Sequence, residues 1–211
     1  MARTKEMKLT RESLISLAGK SLENARALIE EAELLFDHKR WDRTVFLCHA
    51  AGEEFGKAVQ CLSATMDHAR GVLDFVKFRR RLLSHRSKTE TIRFFEAMVD
   101  PEDDHFIDEI KGLGEEVPVL VQGRDLTLYS DIFSDGTAFA PTDVIPERIA
   151  SDALSWAKGR LAMAEALIKP LVESDVLRAG DNELKNTYDE FMAIMKDPEK
   201  REALRQKLLR E

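Results

Sequence analysis

The sequence has little of what β-rich, secreted and membrane proteins contain. Six prolines and ten glycines in 211 residues are too few for the many tight turns of a β-sandwich or barrel. No apolar run approaches the roughly 20 residues of a membrane helix, and the N-terminus lacks the apolar core of a signal peptide. These absences predict a soluble protein with a helical fold and no membrane partner.

Cysteine is also scarce, with Cys48 and Cys61 alone, both in apolar helical sequence. Two cysteines exclude a disulfide framework and a four-cysteine zinc site, and they favour a cytoplasmic location. Neither cysteine lies in the basic surroundings that a nucleophilic thiol needs. The net charge of −7 argues against a protein that coats nucleic acid, although it allows a local basic site.

Helical periodicity dominates the rest of the chain. Residues 10–38, with Thr10 as N-cap, and about 41–66 are predicted to form an antiparallel helical hairpin. We expect an interrupted helical region over 71–98, a short acidic helix over about 101–112, and a long helix from Pro146 to about 176 that Pro170 kinks or shortens. Residues 117–146 are predicted to form a long loop with a short hairpin.

The fold class is therefore predicted to be all-α, with one domain over residues 10–176 and a C-terminal helical extension over 177–211. The extension is expected to dock loosely or to serve an interface. Its amphipathic segments do not look strong enough to be core elements.

A basic segment is the clearest anomaly in this acidic chain. Residues 77–88 contain no acid and six cations, which are Lys77, Arg79, Arg80, Arg81, Arg86 and Lys88. One interpretation is a solvated basic face. The other is a site, because Phe78 and Leu82 would anchor the segment and four residues separate Arg80 from His85. A cation that binds phosphate and an imidazole that moves a proton near neutral pH together suit RNA cleavage.

A second motif, Glu53-Glu54-Phe55-Gly56-Lys57, lies in the second helix. On a helical wheel Glu54 falls at the edge of the apolar arc, whereas Glu53 faces solvent. We therefore expect Glu54 to matter more, since a carboxylate at an apolar boundary needs a partner. Glu53 with Lys57 has the spacing of an ordinary surface pair. Gly56 is expected to permit the close approach of another helix.

Two further features bear on chemistry. Residues 123–131 are either an ordered loop or a segment through which Arg124 and Tyr129 reach back to the helical hairpin. His49 and Glu53 have the spacing of a metal-binding pair, but the second half of a di-iron motif is missing. No glycine-rich phosphate loop occurs either. The sequence therefore implies neither a metal nor another cofactor.

Taken together, these motifs resemble the AbiV family of abortive-infection proteins. The resemblance covers about residues 15–172. It is carried by residues 24–28 (Asn-Ala-Arg-Ala-Leu), residues 50–58 (Ala-Ala-Gly-Glu-Glu-Phe-Gly-Lys-Ala), the His85-x-x-Lys88 pair, and Arg124 followed by Leu128-Tyr129-x-Asp131. The family usually has valine at the position of Ser130. AbiV proteins belong to the HEPN superfamily, and this implies a HEPN-like bundle of four to five helices that commonly dimerises.

The resemblance also implies a function and a site. Many HEPN proteins are ribonucleases that use an arginine and a histidine four to six residues apart, matched here by Arg80 or Arg79 with His85. His85 would be the general acid or base, Arg80 the transition-state cation, and Glu54 the residue that holds one of them. The remaining substrate-binding residues would be Lys57, Arg79, Lys88, Arg124 and Tyr129.

The implied partners are RNA, a second copy of the chain, and a phage-encoded activator or inhibitor protein. The implied role is defence against phage by arrest of the infected cell. An alternative is a catalytically silent HEPN module that binds nucleotide, RNA or a phage or host protein. A third is a structural helical adaptor.

We predict a homodimer, because the amphipathic segments present more apolar surface than one small bundle buries and closed two-fold assemblies are the default for homo-oligomers. Light scattering at micromolar concentration should give a mass of about twice the 24.0 kDa of one chain. A measured mass near that of one chain would contradict this prediction.

Overall fold

The structure, a computed structural model, describes residues 9–99, 125–132, 134–197, 199, 200 and 203. The all-α prediction is confirmed, because helices dominate and the two strands are short. The elements are α1 (Arg11–Asp37), α2 (Trp41–Ala69), α3 (Phe75–Leu83), α4 (His85–Val99), β1 (Asp131–Ile132), β2 (Ala138–Phe139), α5 (Pro141–Val144), α6 (Glu147–Leu167), α7 (Lys169–Glu173), a 3₁₀ turn (Val176–Arg178) and α8 (Asp181–Lys196). Within the described ranges, no helix has both the length and the apolar character needed to cross a membrane.

Helix α1 begins where the sequence predicts. The Thr10 hydroxyl accepts a hydrogen bond from the Ser13 amide, and the Ser13 hydroxyl accepts one from the Thr10 amide, which together form a capping box. The helix ends at a tight turn in which Lys39 takes a positive φ of 57°. The turn reverses the chain, so that the end of α1 packs on the start of α2.

Small side chains let α1, α2 and α6 approach closely around one core. Its buried members include alanines from all three helices, and Phe55 is the largest fully buried side chain among the described residues. Further along the hairpin, the start of α1 packs on the end of α2 through Leu14, Ala18, Ala58 and Cys61. The two helices are therefore antiparallel, as predicted.

Helix α4 begins at His85, inside the region that is predicted to be helical but interrupted. The Ser84 hydroxyl accepts a hydrogen bond from the Ser87 amide at 3.1 Å, which caps the first turn. His85 is consequently the first residue of a helix and not part of a flexible connection. Phe78 is the one buried residue of α3 and anchors that short helix to the bundle.

The long connection before α6 contains the predicted short hairpin. Asp131 pairs with Phe139 and Ile132 with Ala138 in antiparallel register. The predicted acidic helix over residues 101–112 and the first part of the loop lie outside the described residues. Helix α6 ends at Leu167, and Pro170 then lies in the first turn of α7, as its missing amide favours.

The first part of the C-terminal extension packs on the bundle and does not dock loosely. Leu177 and Leu184 are buried with Ile15 of α1. Arg11 donates a hydrogen bond to the Ala179 carbonyl at 2.7 Å and lies 3.3 Å from the Asp181 carboxylate. The expectation of loose docking was wrong because it weighed each segment alone and missed the leucines that fill the end of the hairpin. The domain division at residue 176 stays a prediction.

Leu184→Ala should lower the free energy of unfolding by about 2–4 kcal/mol, because it leaves a cavity in a packed cluster. Leu34→Ala on exposed α1 surface is the matched control and should change it by about 0.5 kcal/mol or less. Urea denaturation of both variants makes the comparison. Equal small effects would mean that α8 does not stabilise the bundle.

Candidate active site

The site is built where the first turn of α4 crosses α2 at Gly56. A Cβ atom at this position would overlap the carbonyl oxygen of Lys88 and would lie 2.9 Å from its carbonyl carbon. Only glycine therefore lets the α4 backbone come this close, as the sequence predicts for Gly56. One turn further along α2, the buried Gln60 amide donates hydrogen bonds to the Ser87 carbonyl and the Thr91 hydroxyl, both at 3.0 Å.

This crossing brings an ammonium group and an imidazole to one carboxylate. The Lys88 ammonium lies 2.7 Å from Glu53 Oε2. The His85 ring nitrogen Nδ1 lies 2.7 Å from Oε2 and 2.8 Å from Oε1 of the same residue. His85 and Lys88 are three residues apart and share a face of α4, so both reach Glu53 together.

The electrostatics keep this carboxylate ionised. Burial by itself raises the pKa of a carboxyl group, but hydrogen bonds and positive charge from Lys88 and His85 outweigh burial and hold the pKa of Glu53 below its ordinary value of 4.5. The Glu53 and Lys88 side chains are only 13% and 10% exposed, whereas that of His85 is 51% exposed. An anionic, nearly buried group thus supports an imidazole that is open to solvent.

The structure differs from three predictions, two about the glutamates and one about Lys88. The helical wheel placed Glu53 toward solvent, yet Glu53 is the residue that contacts His85. Glu54, predicted to hold His85 or Arg80, instead pairs with Lys57 at 2.5 Å. Lys88, predicted to bind substrate, is buried against Glu53. A wheel considers one helix at a time, and here α4 covers the side of α2 that the wheel left to solvent.

The arginines of the basic segment lie on the exposed side of α3. Arg79, Arg80 and Arg81 are all exposed. Arg81 donates a long hydrogen bond of 3.4 Å to the Ser87 hydroxyl. Among the described residues, Arg79 and Arg80 have no hydrogen-bond or ion-pair partner. The pairing of either arginine with His85 stays a prediction.

The predicted loop contribution is only partly visible. Arg124 lies outside the described residues. Tyr129 is described, and its side chain is 62% exposed. Its predicted approach to the helical hairpin stays a prediction.

The described residues support neither a nucleophilic cysteine nor a metal site. Burial raises the pKa of the Cys48 and Cys61 thiols to about 12, which keeps both protonated. Within the described part of the chain, no three His, Cys, Asp or Glu side chains are grouped so that they could hold a metal ion. Three contributors escaped the sequence analysis: Glu53, Gln60 and the Ser84 cap. Ser84 alone had a readable signal, because serine is a preferred N-cap residue and Ser84 directly precedes a helical segment.

A family model described as AbiV matches residues 13–162, which include α1 from its third residue, α2 to α5, and most of α6. The matched range ends before α7, so the C-terminal extension lies outside it. No curated protein and no solved structure matches the chain.

Gly56→Ala should destabilise the protein by about 1–3 kcal/mol, because the added methyl overlaps the Lys88 carbonyl and forces α4 away from α2. Gly159→Ala is the matched control, since Gly159 also lies inside a helix but a Cβ there meets nothing within 4 Å. That control should gain up to about 1 kcal/mol from helix propensity. Thermal and urea denaturation measure both, and a Gly56→Ala protein as stable as the control would refute the close approach.

Proposed function

The chain belongs to the AbiV family of abortive-infection proteins, which have a HEPN-type fold, and on this premise we propose that it is a metal-independent endoribonuclease. Cleavage of RNA would arrest the infected cell and so limit the phage. The observation that supports this proposal is the position and exposure of the His85 side chain. Its half-exposed imidazole lies in the first turn of α4, and a run of exposed arginines precedes it in the sequence on α3.

The surroundings of His85 suit proton transfer at a phosphate. The imidazole is half-exposed and is not buried against Phe78 and Leu82; burial there would favour the catalytically silent binding module. In the proposed reaction, His85 removes the proton of the RNA 2′-hydroxyl while the 2′-oxygen bonds to phosphorus. The bond from phosphorus to the 5′-oxygen then breaks, and that oxygen gains a proton from a second imidazole in a homodimer or from water. A 2′,3′-cyclic phosphate is the product.

Arg80, or its neighbour Arg79, supplies the positive charge that this reaction needs. The phosphorane transition state carries extra negative charge on the non-bridging oxygens. A guanidinium can contact two such oxygens at once, which an ammonium cannot do. Both arginines are exposed on α3, and the proposal is that one of them meets a phosphate that lies over His85.

A homodimer is part of the proposal. Helix α3 exposes Val76 and Leu83, whose exposed fractions are 66% and 73%, beside the arginines. A contiguous apolar patch is typical of a surface that another protein covers, and the proposal places the interface here. A second copy here would bring two imidazoles to one RNA. A phage-encoded protein that activates or inhibits the enzyme is a further proposed partner.

His85→Ala should reduce RNA cleavage by about 10²–10⁴-fold and abolish phage protection, because general acid–base groups contribute that much to rate. Arg80→Ala and Arg79→Ala should identify the catalytic arginine, and lysine at that position should restore activity only in part. Purified wild type and variants are incubated with total RNA and with extract from phage-infected cells. The substrate arm uses an oligonucleotide with a 2′-deoxy nucleotide at the mapped scissile position, which should resist cleavage.

His38→Ala is the control, because His38 is an exposed imidazole at the turn between α1 and α2; it should leave cleavage unchanged. Cleavage should persist in EDTA. Full activity of His85→Ala, or loss of activity in EDTA, would overturn the proposal. RNA that is bound but left intact by wild type would favour the catalytically silent module.

A further inference from the structure

Glu53 is the only described acidic residue that contacts His85. Both of its oxygens lie within 2.8 Å of Nδ1. The other ring nitrogen, Nε2, has no hydrogen-bond partner in the described part of the chain. The two nitrogens of this imidazole therefore have different surroundings, and their chemical roles differ accordingly.

An ionised carboxylate can only accept hydrogen bonds. Nδ1 must therefore carry the proton in its contact with Glu53, and in the neutral imidazole Nε2 is left with the lone pair. A base with its lone pair on a solvent-facing nitrogen is ready to take a proton from a bound hydroxyl. The reverse tautomer would place two lone pairs against each other at about 2.7 Å.

Lys88 stabilises the ionised Glu53 carboxylate on its buried side. Its ammonium lies 2.7 Å from Glu53 Oε2, with only 10% of the side chain exposed. The ammonium neutralises the carboxylate where water is scarce, and the α4 backbone fixes its position relative to His85. A buried lysine that contacts a glutamate in this way is not available to a phosphate.

We propose that Glu53 is a positioning residue that holds His85 in the Nδ1–H tautomer, so that Nε2 is the atom that exchanges protons with RNA. Lys88 acts through Glu53 and not on the substrate. The role in RNA cleavage rests on the proposed function. The tautomer itself does not, and it can be measured in the free protein.

Long-range ¹H–¹⁵N NMR of the full-length, ¹⁵N-labelled protein reports which ring nitrogen carries the proton. His85→Gln identifies the His85 signals, and the pH is set so that the imidazole is neutral. In the wild-type protein, Nδ1 should be protonated and Nε2 should be unprotonated. Glu53→Gln should give a mixture of tautomers, because an amide can either accept or donate.

Glu54→Gln is the matched control. Glu54 is the next residue in the same helix, is similarly buried and is also paired with a lysine, but it does not contact His85. It should leave the His85 tautomer unchanged. A protonated Nε2 in wild type, or equal effects of the two glutamine variants, would overturn the proposal. Because the wild-type spectrum already decides the tautomer, a variant that fails to fold does not remove the test.

The activity arm separates positioning from binding. Glu53→Gln should lower kcat for RNA cleavage on the order of 10²-fold or more with little change in KM, because the wrong tautomer cannot take the proton. Glu53→Asp keeps the charge and should recover part of kcat. Unchanged kcat in Glu53→Gln would refute the catalytic role. If wild type cuts no RNA, the proposed function fails, while the NMR result still decides whether Glu53 sets the tautomer.

Discussion

The close approach of α4 to α2 at Gly56 determines the geometry of the whole site. Because a hydrogen atom stands where a methyl group would overlap the Lys88 carbonyl, the first turn of α4 lies directly on α2. Glu53 is one turn earlier on α2, and His85 is one turn earlier on α4. The contact between two backbones thus brings together two side chains that are 32 residues apart in the sequence.

Burial of the polar groups around this crossing costs desolvation free energy. A buried ion pair is weak evidence for stability, since desolvation of the two charges offsets much of their attraction. An apolar pair in place of Glu53 and Lys88 would pack as well and would do nothing for His85. Gln60 carries a similar cost, because its amide nitrogen binds Ser87 and Thr91 while its side-chain oxygen is buried with no hydrogen-bond partner among the described residues. These residues are better explained by the orientation of α4 than by the stability of the bundle.

How much of this could be predicted from the sequence depends on the range of each interaction. The α1–α2 hairpin was predictable because Thr10, the apolar spacing and the polar break at residues 37–40 all act locally. The sequence indicated that another helix packs closely at Gly56, but it did not indicate that this helix is α4. The choice between Glu53 and Glu54 could not be made from a helical wheel, because it depends on the side of α2 that α4 covers. The burial of Leu177 and Leu184 depends in the same way on a distant partner, the start of α1.

The two halves of the candidate site are fixed to different degrees. His85 is held by the Ser84 cap of its helix and by Glu53, and both belong to the packed bundle. The arginines lie on α3, a helix of nine residues that buries Phe78 alone. Fixing a long, exposed arginine side chain costs conformational entropy, which only a bound partner can offset. In the proposed enzyme, the base is thus organised in the free protein, whereas the phosphate and the second protomer organise the cations.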